Sequence, residues 1–232
     1  MAEKKKRLRV APGRRWFYGG IDLGMTSDLA AYCLAFPPLP QDPHDAVTVF
    51  HRYYLPGEDI EELEREARAP YRLWAEQGWL TLTDGNVCDF AVIRDDVLAD
   101  AERWPCKEIC LDPSNASQLT NDLMEAGIEC MWHPQGARGL GPPTKDLERR
   151  IIQGLLRHEG NPITGWMMSN LRIAYSRDGV PYPVKADGGK GWLPKKRFKI
   201  DGVIAMLMAV HRAMTDPEKP QPRRRRGLTV IG

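Results

Sequence analysis

Three aspartates stand where carboxylates are hard to accommodate and therefore informative. Asp22 lies within the apolar run "FYGGIDLG", Asp112 closes the run "KEICLD", and Asp201 opens the apolar segment "IDGVIAMLMAVHRAM". A carboxylate in such surroundings is costly to bury unless it is paired or binds a metal. Three of them converging cannot all stay ionised unaided, because like charges and desolvation both oppose it. Two hard divalent cations with oxygen ligands, Mg²⁺ or Mn²⁺, resolve that conflict. Such a pair can clamp a scissile phosphate, one ion activating water and the other steadying the leaving oxygen.

The elements that must position these residues can be read from periodicity. Asp22 falls in the middle of a first strand, "WFYGGIDLG", with a glycine turn after it and "LAAYCLAF" as an antiparallel partner. A proline-rich loop leads to a third strand, "AVTVFHRYYL". The period then becomes helical: Ile60, Leu63 and Ala67 share a face, and Pro70 opens a second short helix that Gly78 closes. "WLTLT" is a brief strand, and the next helix carries Phe90, Ile93, Val97 and Ala101 on one face with Asp89 as N-cap. "KEICLD", "PSNASQLTNDLMEAG" and "IECMWH" form a strand, helix, strand unit, by default a right-handed parallel crossover. Two more helices are expected, "PPTKDLERRIIQGLL" with Pro142 and Pro143 at its start, and "NPITGWMMSNLRIAYS". An irregular or hairpin segment, "DGVPYPVKADGGKGWLPKKRFK", follows them. The last helix presents a stripe of Ile200, Val203, Ile204, Leu207, Val210 and Met214, with Asp201 in its first turn. The expected fold is α/β: a mixed sheet of three antiparallel strands plus parallel strands, covered by helices on both faces, in the strand order of a ribonuclease H-like domain.

Composition restricts the function classes. The chain has 232 residues, 42% apolar and 28% charged, as in ordinary globular domains. No apolar run reaches the roughly 18 residues of a membrane span, and the basic N-terminus lacks the apolar core of a secretory signal. The five cysteines (33, 88, 106, 110, 130) include no C-x-x-C pair, and the five histidines are scattered. These features favour reduced thiols in a cytoplasmic protein and disfavour zinc. The formal charge of +2 hides a segregation. Residues 1–15 hold seven Lys/Arg against one Glu, residues 185–199 six against Asp187, and residues 217–232 five against Glu218. Basic ends and one basic internal segment on an acidic body suit a polyanion partner. Residues 1–15 and 216–232 are expected as basic tails around a domain spanning 16–215.

The chain resembles the nuclease domain of the large terminase subunit of tailed bacteriophages. The resemblance rests on "YGGIDLGMTSDLAAYCLAF", on the long segment from Tyr53 to Phe90 after the third strand, and on "LDPSNASQLTNDLMEAGIE". It extends to "PPTKDLERRIIQGLLRHEGNPITGWMMSN" and "KIDGVIAMLMAVHRAM", in the family's order and over about residues 16–215. It implies that Asp22, Asp112 and Asp201 bind the two metal ions, Asp22 bridging both, Asp112 holding one and Asp201 the other. It implies for Asp28 a supporting role behind them. It implies an endonuclease that cuts double-stranded DNA during packaging in the host cytoplasm. Its partners would be an ATPase domain, the small terminase subunit and the portal protein. No G-x-x-x-x-G-K-[ST] loop occurs in the chain, so the nuclease half alone is expected.

The basic stretch before Asp201 fits this expectation. Lys190, Lys195, Lys196, Arg197 and Lys199 could meet duplex phosphates, contacts that carry affinity with little sequence information. Three other readings compete. "GIDLG" also opens actin-like and sugar-kinase ATPases, but no second glycine-rich phosphate loop follows Asp112. A junction resolvase or transposase-like nuclease shares the acidic triad but leaves the Tyr53–Phe90 insertion unexplained. A non-catalytic DNA- or portal-binding module would use the basic ends alone.

Overall fold

The computed structural model describes residues 15–24, 29–39, 42, 45–113, 116–186 and 197–215. Its centre is a seven-stranded mixed sheet ordered β4-β3-β2-β1-β5-β6, with β7 also on β3. The strands are β1 (Phe17–Asp22), β2 (Ala30–Phe36), β3 (Val47–Pro56), β4 (Thr81–Thr83), β5 (Cys106–Leu111), β6 (Cys130–Trp132) and β7 (Leu156–His158). β1, β2 and β3 run antiparallel in sequence, with Asp22 opposite Ala31 and Ala31 opposite Tyr53. β5 joins β1 in parallel, Ile21 level with Leu111, and β6 joins β5 in parallel. The expected α/β architecture with helices on both faces is what the chain adopts.

Alternation along the strands divides the core. Ile21, Tyr32, Leu34, Ile109 and Leu111 pack beneath α3 (Phe90–Arg103) and α4 (Ser117–Glu125). Tyr18, Ala31, Cys33, Tyr53 and Cys110 face the other way, against α7 (Asp201–Thr215). Helices α5 (Gly136–Ile152) and α6 (Pro162–Ser169) and the pair α1 (Ile60–Ala67) and α2 (Tyr71–Glu76) lie on that same side. α3 starts as expected, the Asp89 carboxylate accepting from the Ala91 amide at 2.8 Å.

Helix α7 is more deeply placed than an amphipathic stripe implies. Every residue from Asp201 to Val210 is buried, including Ala205, Met206, Met208 and Ala209 off the expected face. The sheet takes one side of the helix, and α5 and α6 take the rest. The closest approach is at Gly20, where a Cβ would stand 2.1 Å from the Ala205 carbonyl oxygen and 2.9 Å from the Ala209 nitrogen. Gly19, on the other face, leaves no more room beside Ile109 and Tyr32. Two small residues in β1 thus let helix backbone on one side and side chains on the other close upon the strand.

Ionic clamps add direction to this packing. Arg212 near the end of α7 grips Glu108 of β5 through two hydrogen bonds of 2.6 and 2.9 Å, with Glu108 only 4% exposed. On the opposite face Arg52 of β3 holds the buried Asp100 of α3 in the same forked way, at 2.9 and 2.6 Å. Burial pushes the Asp100 carboxyl up, an effect that the Arg52 guanidinium opposes.

Three expectations are corrected. α5 begins at Gly136, so Pro142 and Pro143 lie inside it rather than at its start. Missing proline amides cost the helix two internal hydrogen bonds there. The same helix ends at Ile152, and Gly154, with φ +66°, turns the chain into β7, which the pattern alone did not reveal. α6 stops at Ser169, and residues expected to continue it form β8 (Leu171–Tyr175), paired antiparallel with β9 (Pro181–Lys185). Backbone bonds between Ser176 and Val180 and between Gly179 and Ser176 close that hairpin turn.

The contact at Gly20 has a measurable counterpart elsewhere. Gly20→Ala is expected to lower unfolding stability by about 3 kcal/mol, because the new methyl meets backbone that cannot swing aside. Gly165→Ala in α6, where a Cβ meets nothing within 4 Å, is expected to raise stability by about 0.5–1 kcal/mol. Urea denaturation of the two variants checks both signs, and equal effects would remove the special status of Gly20.

Candidate active site

Two of the three sequence-nominated aspartates sit at one end of adjacent parallel strands. Asp22 is the last residue of β1, not its middle, and is half-buried. Asp112 is the first residue beyond β5 and is also half-buried. Strand pleating sends alternate side chains to one face. Gly20 and Cys110 face α7, so Asp22 continues that parity, as does Asp112 one residue past its strand. Sites of open α/β sheets gather at such carboxyl ends.

Asp201 is the first residue of α7 and is 8% exposed. Ile200 precedes it and offers no side-chain acceptor for capping, although its carbonyl accepts from the Val203 and Ile204 amides at 2.8 and 3.0 Å. Neighbouring elements therefore define where the helix starts. The Asn170 side-chain amide donates to the Lys199 carbonyl at 3.2 Å, and the Gly202 amide donates to Met167 Sδ at 3.0 Å. His51 Nε2 lies 3.2 Å from the Gly202 carbonyl, which fixes that nitrogen as the protonated one. Tyr53, two residues along β3, shares this face and hydrogen-bonds Thr164 Oγ1 at 2.7 Å.

The acids are thus directed to one end and one face of the sheet without being drawn into a tight cluster. Among the described residues no three His, Cys, Asp or Glu side chains are grouped so as to hold a metal ion. As a donor set, three carboxylates from β1, β5 and α7 fit a hard, oxygen-seeking divalent cation. Asp28 and Lys190, Lys195 and Lys196 lie outside the described residues. Arg197 is half-buried with its guanidinium 5.4 Å from the centre of the Phe198 ring. Lys199 is 2% exposed, which does not suit the expected contact with a duplex phosphate: the chain turns inward at this residue to begin α7. His51 and Tyr53 went unnoticed in the sequence because they look like ordinary members of an apolar strand. Their only signal is a shared parity.

All five cysteines are free thiols. Burial raises Cys106 and Cys88 to about 12, which keeps both protonated and inert at neutral pH. No helix among the described residues is long and apolar enough to cross a membrane.

His51 is the site's pH-sensitive element. Burial lowers it to about 4, the bond to Gly202 opposing that shift. The unfolded chain then takes up this proton near the ordinary histidine value while the folded chain resists it. Stability contributed by neutral His51 is full above about pH 6.5 and is lost as pH falls toward 4, on the order of 3 kcal/mol in all. His51→Gln, which keeps a donor but cannot titrate, is expected to show a shallower decline in Tm between pH 7 and pH 4.5. An NMR titration that places His51 above pH 6 would overturn this assignment.

Comparison with known proteins converges on one family. The model of the terminase large subunit endonuclease domain matches residues 10–216. Protein YmfN of Escherichia coli K12 is 31% identical over 173 residues, covering 72% of this chain and 36% of that protein. The terminase large subunit of Enterobacteria phage HK97 is 27% identical over 202 residues, 85% of this chain and 37% of its own length. Its crystal structure superposes with a TM-score of 0.74 at 25% identity, covering 86% of this chain and 40% of that one. The large terminase nuclease of thermophilic phage G20c superposes at 0.55 with 13% identity, over 91% of this chain and 90% of that one. That nuclease has also been solved with bound magnesium and with bound cobalt. The chain spans little more than a third of the curated relatives it matches. The fold is ribonuclease H-like, and the chain belongs to the terminase large-subunit endonuclease-domain family.

Proposed function

We propose that this chain hydrolyses phosphodiesters of double-stranded DNA with little sequence preference, using Asp22, Asp112 and Asp201 to hold two divalent ions. The observation that carries this reading is the shared parity of Asp22 and Asp112 at the carboxyl ends of paired strands, on the face that α7 covers. In this reading Asp22, Asp112 and Asp201 would together hold the ions through their carboxylate oxygens. When bound, the ions supply Lewis-acid polarisation of the phosphate and an acidified water. The burial of Asp201 limits competing water on its side of the centre.

Lys190, Lys195, Lys196 and Arg197 position the duplex through its backbone, Arg197 with a partly exposed side chain. Magnesium bound to the related G20c nuclease supports an ion of this class, with manganese as the alternative. The cellular role is cutting concatemeric viral DNA during packaging in the bacterial cytoplasm. An ATPase domain, a small terminase subunit and a portal protein are the partners.

Plasmid cleavage in Mn²⁺ or Mg²⁺ tests the reading against Asp22→Ala, Asp112→Asn and Asp201→Asn. Each variant is expected to cut at least 100-fold more slowly with a parent-like circular dichroism spectrum. Variants as active as the parent would sink the three-acid assignment, and a parent inert in every divalent ion would favour a DNA-binding module.

A further inference from the structure

We propose that Tyr53 is a positioning residue that sets where Asp201 meets the divalent ion. The inference rests on the reading of Asp201 as a metal ligand. Its basis is the contact between the first turn of α7 and the Tyr53 ring. A Cβ on Gly202 would stand 2.3 Å from the Tyr53 hydroxyl oxygen and 2.7 and 2.8 Å from its Cε1 and Cζ. The helix backbone beside Asp201 therefore rests directly on this ring.

The ring is itself held on several sides. Its hydroxyl bonds Thr164 of α6 at 2.7 Å. His51 stacks on it at 5.6 Å between centroids, with planes only 3° apart, and bonds the Gly202 carbonyl. Both rings are buried. β3 and α6 thus form a socket, and Gly202 is the residue small enough to seat in it. Asp201, next in the chain, inherits its position from that seat. Partners placed behind metal ligands commonly change metal affinity 10–100-fold.

The test separates positioning from general stability. Tyr53→Phe and Thr164→Val each strand a buried hydroxyl, so each lowers Tm. The double variant replaces both partners with apolar groups of similar shape and is expected to recover most of that loss. Mn²⁺ affinity, read by isothermal titration calorimetry, is expected to stay about 10-fold weaker in the double variant. Gly202→Ala, which pushes the helix start off the ring, is expected to weaken it about 100-fold. Double-variant and Gly202→Ala proteins that bind Mn²⁺ like the parent, while Asp201→Asn does not, overturn this inference alone. A parent that binds no Mn²⁺, or an Asp201→Asn variant that binds as well as the parent, overturns the metal-site reading and this inference with it.

Discussion

Helix α7 lies on strand β1 with no side chain between them at Gly20, and the arrangement of the domain follows from that contact. Backbone meeting backbone allows neither partner to yield, so the helix has one seat. Because it is so close, ten consecutive residues are buried, and the helix must be apolar all round for this to be favourable. Asp201 is the exception within that run. It stands in the first turn, where the helix dipole favours a carboxylate.

Polar groups in this interior are assigned in pairs that cross between elements. Glu108 and Arg212 tie β5 to α7, Arg52 and Asp100 tie β3 to α3, and Tyr53 and Thr164 tie β3 to α6. Each pair satisfies groups that burial would otherwise penalise. Each also selects one relative placement of the two elements, whereas apolar contacts alone tolerate sliding. Solved nucleases share the architecture at identities as low as 12%, so the layout of the sheet places few demands on individual residue types.

Much of this is legible in the sequence. Apolar alternation identified β1, β2 and β3, and the Asp89 cap marked the start of α3. The parity that groups Asp22 with Asp112 was implicit in the strand assignments. The losses have physical causes. Pro142 and Pro143 signalled a helix start, yet the helix runs through them because the turn before them packs tightly, Gly139 lying against Pro134. "LRIAY" follows a helix without a strong breaker, and its pairing with "PYPVK" depends on a tertiary partner. Lys199 reads as part of a basic run, but the entry of α7 into the core drags it inside. His51, Tyr53 and Glu108 could not be singled out, since their significance lies in what they touch across more than 100 residues of chain.

The forked Glu108–Arg212 contact makes α7 a ruler as well as a wall. Arg212 is fastened at one end and Gly202 at the other, and the rise of an α-helix sets the distance between Asp201 and Arg212 at about 16 Å. Their relative azimuth is equally fixed, since one residue more or fewer between them would rotate Asp201 by about 100°. The spacing of these two residues is therefore a discrete quantity. Sequence drift can change the side chains along the rod, but it cannot change their number without rotating Asp201 relative to Arg212.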